Sequence, residues 1–294
     1  MSTTAVIDVE RLNLRYGDFH AVRDLSFQVR RGELYALLGT NGAGKTSTLE
    51  TVEGHRTATS GTVRVFGQSP RDRTAVRHKM GIMLQESGFS PDLTVRESVQ
   101  LIGKLTRRAD HPDRVLDIVE LTDKAGVRVS QLSGGEKRRL DFATAVYGTP
   151  ELIFLDEPTT GLDIQSRDRV WDVVDKLRED GSTIVLTTHY LEEAQQRADR
   201  IGLMHQGTFH REGTVAELTR TLPAVIRFWL PGSAPVVPLP GTRAGDGEVV
   251  IETFALQRDL HILLGWAQDH ATELRGLQAG PTRLDDVFRA IGSQ

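Results

Sequence analysis

The residues best suited to chemistry form a glycine-rich run at 39–46, which matches G-x-x-x-x-G-K-[ST] at every fixed position. Such a run wraps a polyphosphate so closely that side chains would block its backbone N–H groups, and the helix that follows adds its positive end. Lys45 is predicted to neutralise phosphate oxygens, and the Thr46 hydroxyl to ligate Mg²⁺. The alternative is a plain glycine-rich turn, which the complete pattern disfavours. The predicted phosphate-binding residues are Gly39, Asn41, Gly42, Ala43, Gly44, Lys45, Thr46 and Ser47.

Two carboxylates follow a second apolar run, residues 152–155. Asp156 is expected to hold Mg²⁺ together with Thr46, and Glu157 to act as the general base for an attacking water. By themselves, two acids at a strand end are about as often solvated surface groups. Because the phosphate-binding run occurs in the same chain, the pair predicts phosphoryl transfer to water.

A third motif, Leu132-Ser133-Gly134-Gly135-Glu136, precedes a helical pattern at 137–147. Ser133 and Glu136 have the spacing of a capping box, so the motif could be no more than a helix start. Two glycines at a helix N-terminus would also make a second anion site. A nucleotide that the glycine-rich run at 39–46 already holds would not need this second anion site.

With this third motif the chain resembles the ATP-binding cassette proteins of membrane transporters, over residues 5 to about 220 and with the motifs in the same order. The resemblance implies a homodimer in which ATP lies between two copies. Ser133, Gly134, Gly135 and Glu136 of one copy would then contact the γ-phosphate bound to the other. Most members have Gln at the fifth signature position, so Glu136 departs from the pattern and adds negative charge near ATP.

The same resemblance assigns four more residues to the ATP site. Tyr16 would stack on adenine, although a strand tyrosine with an exposed hydroxyl is the alternative. Gln85 would sense Mg²⁺ and water, Asp163 would lie in the loop that joins the two active sites, and His189 would contact the γ-phosphate. The expected catalytic residues are Lys45, Gln85, Glu157 and His189, and the expected Mg²⁺ ligands are Thr46, Gln85 and Asp156.

Shorter stretches point to the kind of cassette. Residues 187–194 and 281–288 resemble the ATPases of two-component drug and antibiotic exporters of the daunorubicin-resistance type. This likeness implies a separate permease of the ABC-2 class, and a peripheral location on the cytoplasmic face of the membrane. Residues 89–95 would then contact the permease, or they form only a loop and a capping box between Thr94 and Glu97.

The elements that must position these motifs are those of an α/β protein. Three apolar runs, 33–38, 152–155 and 183–186, alternate with helical patterns and predict a mostly parallel sheet, with ligands at the carboxyl ends of its strands. Residues 5–32 and 61–67 alternate in polarity, which predicts an antiparallel β subdomain. Residues 93–145 predict a helical subdomain.

Proline and glycine cluster at 230–247, after a break near residue 222. Predicted strands 225–230 and 249–254 flank the cluster, and helices at 256–270 and 282–291 follow. We therefore expect an ATP-binding domain at 1–220 and a small α+β accessory domain at 221–294.

Composition limits the alternatives. The chain has 294 residues, a formal net charge of −4 and no cysteine, so thiolate chemistry is excluded and nucleic-acid binding is not expected. No run approaches the ~20 apolar residues of a membrane helix. A soluble cassette ATPase acting on DNA or ribosomes remains the alternative function. A binding module without turnover would be expected to lack Glu157 or His189, and the tail disfavours an importer.

Overall fold

A computed structural model of the chain describes residues 5–84, 88–220, 222–231, 234–243, 247–284 and 286–288. Its internal contacts divide the chain into two compact units, Met1–Glu212 and Gly213–Gln294. The sequence places the domain boundary after residue 220, so helix Val215–Thr219 lies between the two divisions.

The described residues of 5–84 and 88–213 form nine strands and seven helices, with 3₁₀ turns at Arg77–Lys79, Thr122–Lys124 and Val129–Gln131. The strands are β1 (Ala5–Tyr16), β2 (Phe19–Arg30), β3 (Leu34–Gly39), β4 (Ser60–Val65), β5 (Met80–Met83), β6 (Leu152–Asp156), β7 (Thr183–Thr187), β8 (Arg200–His205) and β9 (Thr208–Gly213). The helices are α1 (Lys45–Val52), α2 (Arg73–Val76), α3 (Val95–Thr106), α4 (Pro112–Ile118), α5 (Gly134–Val146), α6 (Ile164–Glu179) and α7 (Leu191–Arg197).

A six-stranded sheet in the order β5-β6-β7-β3-β8-β9 forms the centre of the first unit. The pairs from β5 to β8 are parallel. Every residue of β7 is buried, as are four of the five in β6, because helices cover a parallel sheet on both faces. The carboxyl ends of β6, β7 and β3 are therefore neighbours at one edge of the sheet. The Asp156–Glu157 pair, His189 and the glycine-rich loop lie at these three strand ends.

A separate antiparallel sheet has the order β2-β1-β4. Its central strand places Ile7 opposite Val29 on one side and opposite Val65 on the other. All three side chains are fully buried, and they belong to one hydrophobic cluster with residues of β3 and α1. The cluster fixes the antiparallel sheet beside the strand that leads into the glycine-rich loop.

The helical segment begins its two long helices with the predicted capping boxes. Thr94 caps α3 with Glu97, and Ser133 caps α5 with Glu136. Each box satisfies two N–H groups that a helix start leaves free. The prediction of an α/β P-loop core with an antiparallel and a helical subdomain is confirmed.

The second unit is a small α+β structure. Its elements are α8 (Val215–Thr219), β10 (Ala224–Trp229), β11 (Thr242–Arg243), β12 (Glu248–Thr253), α9 (Leu256–Asp269) and β13 (Arg275–Gly280). The antiparallel sheet has the order β11-β12-β10-β13, and Phe228 and Ile251 pack with Leu263 of α9 in its core. Of the predicted final helix, residues 284 and 286–288 are helical, and 285 and 289–291 lie outside the described residues.

In the part of the chain that the structure describes, no helix combines the length and the apolar character needed to cross a membrane.

Candidate nucleotide site

The glycine-rich loop joins β3 to α1, and it leaves the start of α1 without a side-chain cap. Gly44 occupies the N-cap position with a left-handed backbone (φ 96°), and the helix start has no side-chain cap hydrogen bond. A helix start exposes N–H groups and carries partial positive charge. The first turn of α1 is thus open to an anion.

The glycines of the loop serve two different needs. A Cβ on Gly39 would lie 2.4 Å from the Met204 carbonyl oxygen, and one on Gly44 would lie 2.7 Å from the Ala21 carbonyl oxygen. Gly42 has a φ of +77° and open space where its Cβ would stand. Sequence reasoning attributed all three glycines to the approach of phosphate. In the structure, packing against the protein itself already requires two of them.

Lys45 reaches across this loop. Its Nζ donates to the carbonyl oxygens of Gly39 (2.7 Å) and Thr40 (3.2 Å). Burial lowers the pKa of the Lys45 ammonium, while the charges of Glu157 and Asp156 act in the opposite direction. A partly desolvated cation beside an uncapped helix start fits a polyphosphate.

Asp156 ends β6, and its carboxylate accepts a hydrogen bond from the Thr187 hydroxyl at the end of β7. Burial raises the pKa of Asp156, and the Thr187 hydrogen bond opposes that shift. Among the described residues, no group of three or more His, Cys, Asp or Glu could hold a metal. One carboxylate and the Thr46 hydroxyl fit Mg²⁺ nonetheless, because Mg²⁺ takes few protein ligands when substrate phosphates and water supply the rest.

Glu157 follows with a left-handed backbone (φ 52°), a conformation that costs a residue with a Cβ about 1 kcal/mol. Its N–H donates to the Thr187 carbonyl (2.9 Å). Its Oε2 lies 2.7 Å from Nδ1 of His189 and accepts from the Thr160 hydroxyl at 3.0 Å. No hydrogen bond from the described residues reaches Oε1, so that oxygen is open to a water.

Arg138 of α5 is a site residue that sequence reasoning missed. Its guanidinium donates to the carbonyl oxygens of Leu84 (2.9 Å) and Glu157 (2.7 Å), and it also contacts that of Asp156. Burial lowers the pKa of this arginine. In the sequence Arg138 stands between Lys137 and Arg139, a basic run typical of a solvated helix face, so no sequence signal indicated a buried contact. Gln85, predicted to sense Mg²⁺, follows Leu84 and lies outside the described residues.

Tyr16, at the end of β1, lies next to α1. Its hydroxyl is 2.8 Å from the Ser47 Oγ, and the Arg56 guanidinium lies 4.5 Å from the ring centroid. The residue is 42% exposed. The hydroxyl is therefore bonded within the protein, whereas the strand-tyrosine alternative left it in water.

The signature and the Asp163 loop occupy two other helix starts. Ser133 caps α5, while Asp163 caps α6 and accepts from the Ser166 N–H at 2.9 Å. A Cβ on Gly135 would lie 3.8 Å from the Gly161 carbonyl oxygen, so the two loops are close. One chain brings together Lys45, Asp156, Glu157 and His189, and the signature at 133–136 makes no hydrogen bond or ion pair to the glycine-rich loop at 39–47 among the described residues.

Comparison with known families gives two matches. Residues 22–160 match the family described as ABC transporter. Residues 224–282 match the family described as ABC transporter domain-containing protein-like, C-terminal domain.

Curated relatives include the Nod factor export ATP-binding protein I of Burkholderia lata, 40% identical over 71% of this chain and 71% of the relative. The protein of the same name from Ralstonia nicotianae is 34% identical over 98% of this chain and 94% of its own length. The daunorubicin resistance ATP-binding protein DrrA3 of Streptomyces coeruleorubidus is 41% identical over 74% of this chain and 71% of its own. These export proteins do not favour the alternative of an ATPase acting on DNA or ribosomes.

Solved structures of similar fold include an ATP-binding subunit of an ABC transporter, with a TM-score of 0.69, 24% identity, and coverage of 74% of this chain and 92% of that one. A dimeric ATP-binding cassette in a post-hydrolysis state, bound to ADP and Pi, has a TM-score of 0.66 and 25% identity. It covers 71% of this chain and 98% of that one.

Proposed function

The chain belongs to the ABC transporter family, and from this premise we propose that Lys45, Asp156, Glu157 and His189 form the hydrolytic site of an export ATPase. The chain is the ATP-hydrolysing subunit of an exporter, and the transmembrane part is a separate protein. Cassettes of this family act as dimers. The further assignment of roles to residues, and of Mg²⁺, membrane location and cargo, is our proposal.

One observation carries the assignment of roles. The glycine-rich loop, the Asp156–Glu157 pair and His189 follow β3, β6 and β7, which are adjacent parallel strands. Ligands bind beyond the carboxyl ends of such strands. The 2.7 Å contact between His189 Nδ1 and Glu157 Oε2 fixes the carboxylate at this edge.

The proposed reaction is attack of water on the γ-phosphorus. Lys45 and the N–H groups at the start of α1 hold the β- and γ-phosphates. The Oε1 of Glu157 accepts a proton from the water while the water oxygen bonds to the γ-phosphorus. At the same time, the bond between the γ-phosphorus and the bridging oxygen of the β-phosphate breaks, and that oxygen stays with ADP. The products are ADP and inorganic phosphate. Bound Mg²⁺, held by Thr46, Asp156 and Gln85, would neutralise charge on the phosphate oxygens.

The second copy completes the site. Ser133, Gly134, Gly135 and Glu136 of that copy contact the γ-phosphate, Asp163 links the two sites, and Tyr16 stacks on adenine. ATP thereby closes the dimer, closure moves the transmembrane subunits, and hydrolysis resets them. The proposed location is peripheral, on the cytoplasmic face of the membrane.

The proposed cargo is a drug, an antibiotic or a lipid-like compound. The names of the relatives, which mention Nod factor export and daunorubicin resistance, support this class. We also propose that residues 1–220 bind ATP and residues 221–294 form an accessory domain, which the separate family matches at 22–160 and 224–282 support.

The assignment is tested with Glu157→Gln. This variant keeps the shape of the side chain but removes the base, so hydrolysis is expected to fall about 10²- to 10⁴-fold while ATP affinity stays unchanged. Glu10→Gln, on an exposed glutamate of β1, is the control. Turnover by Glu157→Gln at the rate of the wild type would refute the role of Glu157 as base.

The same variant tests the coupling to export. Glu157→Gln, expressed in cells and solubilised gently with ATP present, is expected to co-purify with a polytopic membrane protein in equal amount. Recovery in the aqueous fraction with ribosomes or nucleic acid would leave the ATPase in place and refute the exporter role.

A further inference from the structure

A series of side-chain contacts runs from α6 and α7 to the imidazole of His189. Tyr190, the N-cap residue of α7, places its ring 4.3 Å from the imidazole, at 38° to it. The guanidinium carbon of Arg167, on α6, lies 4.9 Å from the Tyr190 ring centroid. The imidazole therefore rests against a ring that a cation covers.

Glu193, in the first turn of α7, pairs with that cation. Its Oε1 lies 3.5 Å from Nε of Arg167. Both atoms are buried and neither has a hydrogen-bond partner among the described residues, so the pair is held by charge alone. Its Oε2 accepts from the hydroxyl of Thr159 at 2.8 Å. Thr159 is fully buried and lies two residues after Glu157, so the contacts return to the backbone beside the proposed base.

These contacts matter because the side chain of His189 is itself 54% exposed. An exposed imidazole rotates freely unless neighbouring groups restrict it. Tyr190 supplies a flat surface on one side, and Glu157 supplies a hydrogen-bond partner at one nitrogen. Tyr190 and Glu193 lie in the stretch 187–194 that resembles exporter ATPases, but the resemblance gives them no role. The proposed reaction uses neither of them, nor Arg167.

We propose that Arg167, Tyr190 and Glu193 are positioning residues that hold the His189 imidazole in the orientation needed for hydrolysis. The cation–π contact restrains the Tyr190 ring, and Glu193 restrains the cation. The inference rests on the proposed function, since it assumes that His189 acts in turnover. A purely structural role, in which the three residues only fasten α6 to α7, is the competing explanation.

The two explanations differ in the kinetic constant that they change. Loss of orientation at His189 lowers kcat, because the γ-phosphate contact is misplaced in the transition state, and leaves KM for ATP unchanged. Loss of structure lowers the melting temperature and weakens ATP binding and dimerisation. We therefore measure kcat, KM, ATP affinity and melting temperature on the full chain with Mg²⁺ and ATP.

Arg167→Ala is expected to lower kcat about tenfold, the size of one lost orienting contact. Tyr190→Leu is expected to do the same, and Tyr190→Phe, which keeps the ring, to restore most of the turnover. Arg169→Ala is the matched control, because Arg169 also lies on α6 but points to an exposed ion pair with Glu120. It is expected to behave like the wild type.

The decisive measurement adds Arg167→Ala to His189→Ala. If Arg167 acts through the imidazole, the double variant is as slow as His189→Ala alone. A further tenfold loss in the double variant, or a fall in ATP affinity with Arg167→Ala, would overturn the positioning role. Wild-type kcat in His189→Ala would instead refute the proposed function of His189, so the two failures are distinguishable.

Discussion

Helices α1 and α5 are both assigned to the phosphates of ATP, and both begin next to glycines, yet their first turns are built differently. The N-cap of α1 is Gly44, with φ 96° and no side-chain hydrogen bond. The N-cap of α5 is Ser133, with φ −65°. Its hydroxyl accepts from the Glu136 N–H at 3.3 Å, and Glu136 accepts from the Ser133 N–H at 2.8 Å.

In the proposed function, the α1 start binds ATP within its own chain, whereas the α5 start acts only on the ATP of the other copy. The α1 start depends on a ligand to satisfy its N–H groups. Lys45 of the same loop supplies the positive charge that would balance the charge of the phosphates. At the start of α5, the capping box satisfies the N–H groups of Ser133 and Glu136 before any ligand arrives. The box leaves the N–H groups of Gly134 and Gly135, and we propose that these bind the γ-phosphate on the other copy. The predictions below separate the two helix starts, from the largest effect to the smallest.

Lys45→Ala should abolish the α1 site and leave the α5 site intact. Two charge-assisted hydrogen bonds at about 1.5 kcal/mol each correspond to about a 100-fold loss of ATP affinity. Calorimetric titration of the full chain with Mg²⁺ and ATP measures this loss. Ser133→Ala serves as the contrast, because the ATP affinity of this variant should equal that of the wild type under conditions in which the chain stays monomeric. Equal affinities for Lys45→Ala and wild type would refute the role of Lys45.

Ser133→Ala should instead weaken the ATP-dependent dimer and lower kcat about tenfold, since it removes a hydroxyl that we propose contacts the γ-phosphate. It also removes a helix cap, which costs about 1 kcal/mol of folding stability. Thr214→Ala removes the matching capping box of α8 and controls for that cost. Analytical ultracentrifugation with ATP in a Glu157→Gln background, together with turnover assays, separates the two effects. If both variants affect the dimer equally, the signature is only a helix cap.

Glu136→Gln should tighten the ATP-dependent dimer by about two- to fivefold. Glutamine can still accept from the Ser133 N–H, so the cap persists while a negative charge near the γ-phosphate disappears. Lys124, 3.5 Å from the Glu136 carboxylate, already offsets part of that charge. Because the effect is electrostatic, the difference in dimer affinity between the variant and the wild type should become smaller at high salt. A weaker dimer in the variant would show that the carboxylate is needed.

Acid should loosen the start of α5 but not that of α1. The Ser133 N–H bonds to the Glu136 carboxylate and lowers the pKa of that group. The cap therefore contributes its full stability above the ordinary Glu pKa of about 4.3 and loses it as the pH falls through the lowered folded value. The Ser133 amide shift, followed by NMR, should titrate below pH ~4.3 and should not titrate in Glu136→Gln. A midpoint above the ordinary value would contradict this.

The sequence motifs identified both helix starts because each is a local pattern. Residues 39–46 and the two capping boxes fix their geometry within a few positions of one another, so the spacing alone was sufficient. The strands β3, β6 and β7 were equally easy to predict, because a strand that is buried on both faces appears in the sequence as an unbroken run of apolar residues.

Other strands escaped prediction for physical reasons. Strand β13 has five exposed residues out of six and no alternation, and it exists because β10 pairs with it, Val225 opposite Gly280. Strand β5 has four residues, too few for a period, and β8, β9 and β11 were likewise not predicted.

The contacts that complete the site also could not be predicted from the sequence. Thr187 and Asp156 are 31 positions apart, and Arg138 on α5 donates to the carbonyls of Asp156 and Glu157 at the end of β6. Such contacts depend on which strands become neighbours, and no local spacing encodes them.

The left-handed backbone of Glu157 has a consequence for how such chains evolve. Glycine or asparagine would relax a φ of 52° and gain folding stability, by about 1 kcal/mol for glycine, but would remove the base. At this position, selection for folding stability favours replacing the glutamate, whereas selection for ATP hydrolysis favours keeping it. A gene copy relieved of the need to hydrolyse ATP would be expected to lose its glutamate early, and its product would become more stable as it became inactive.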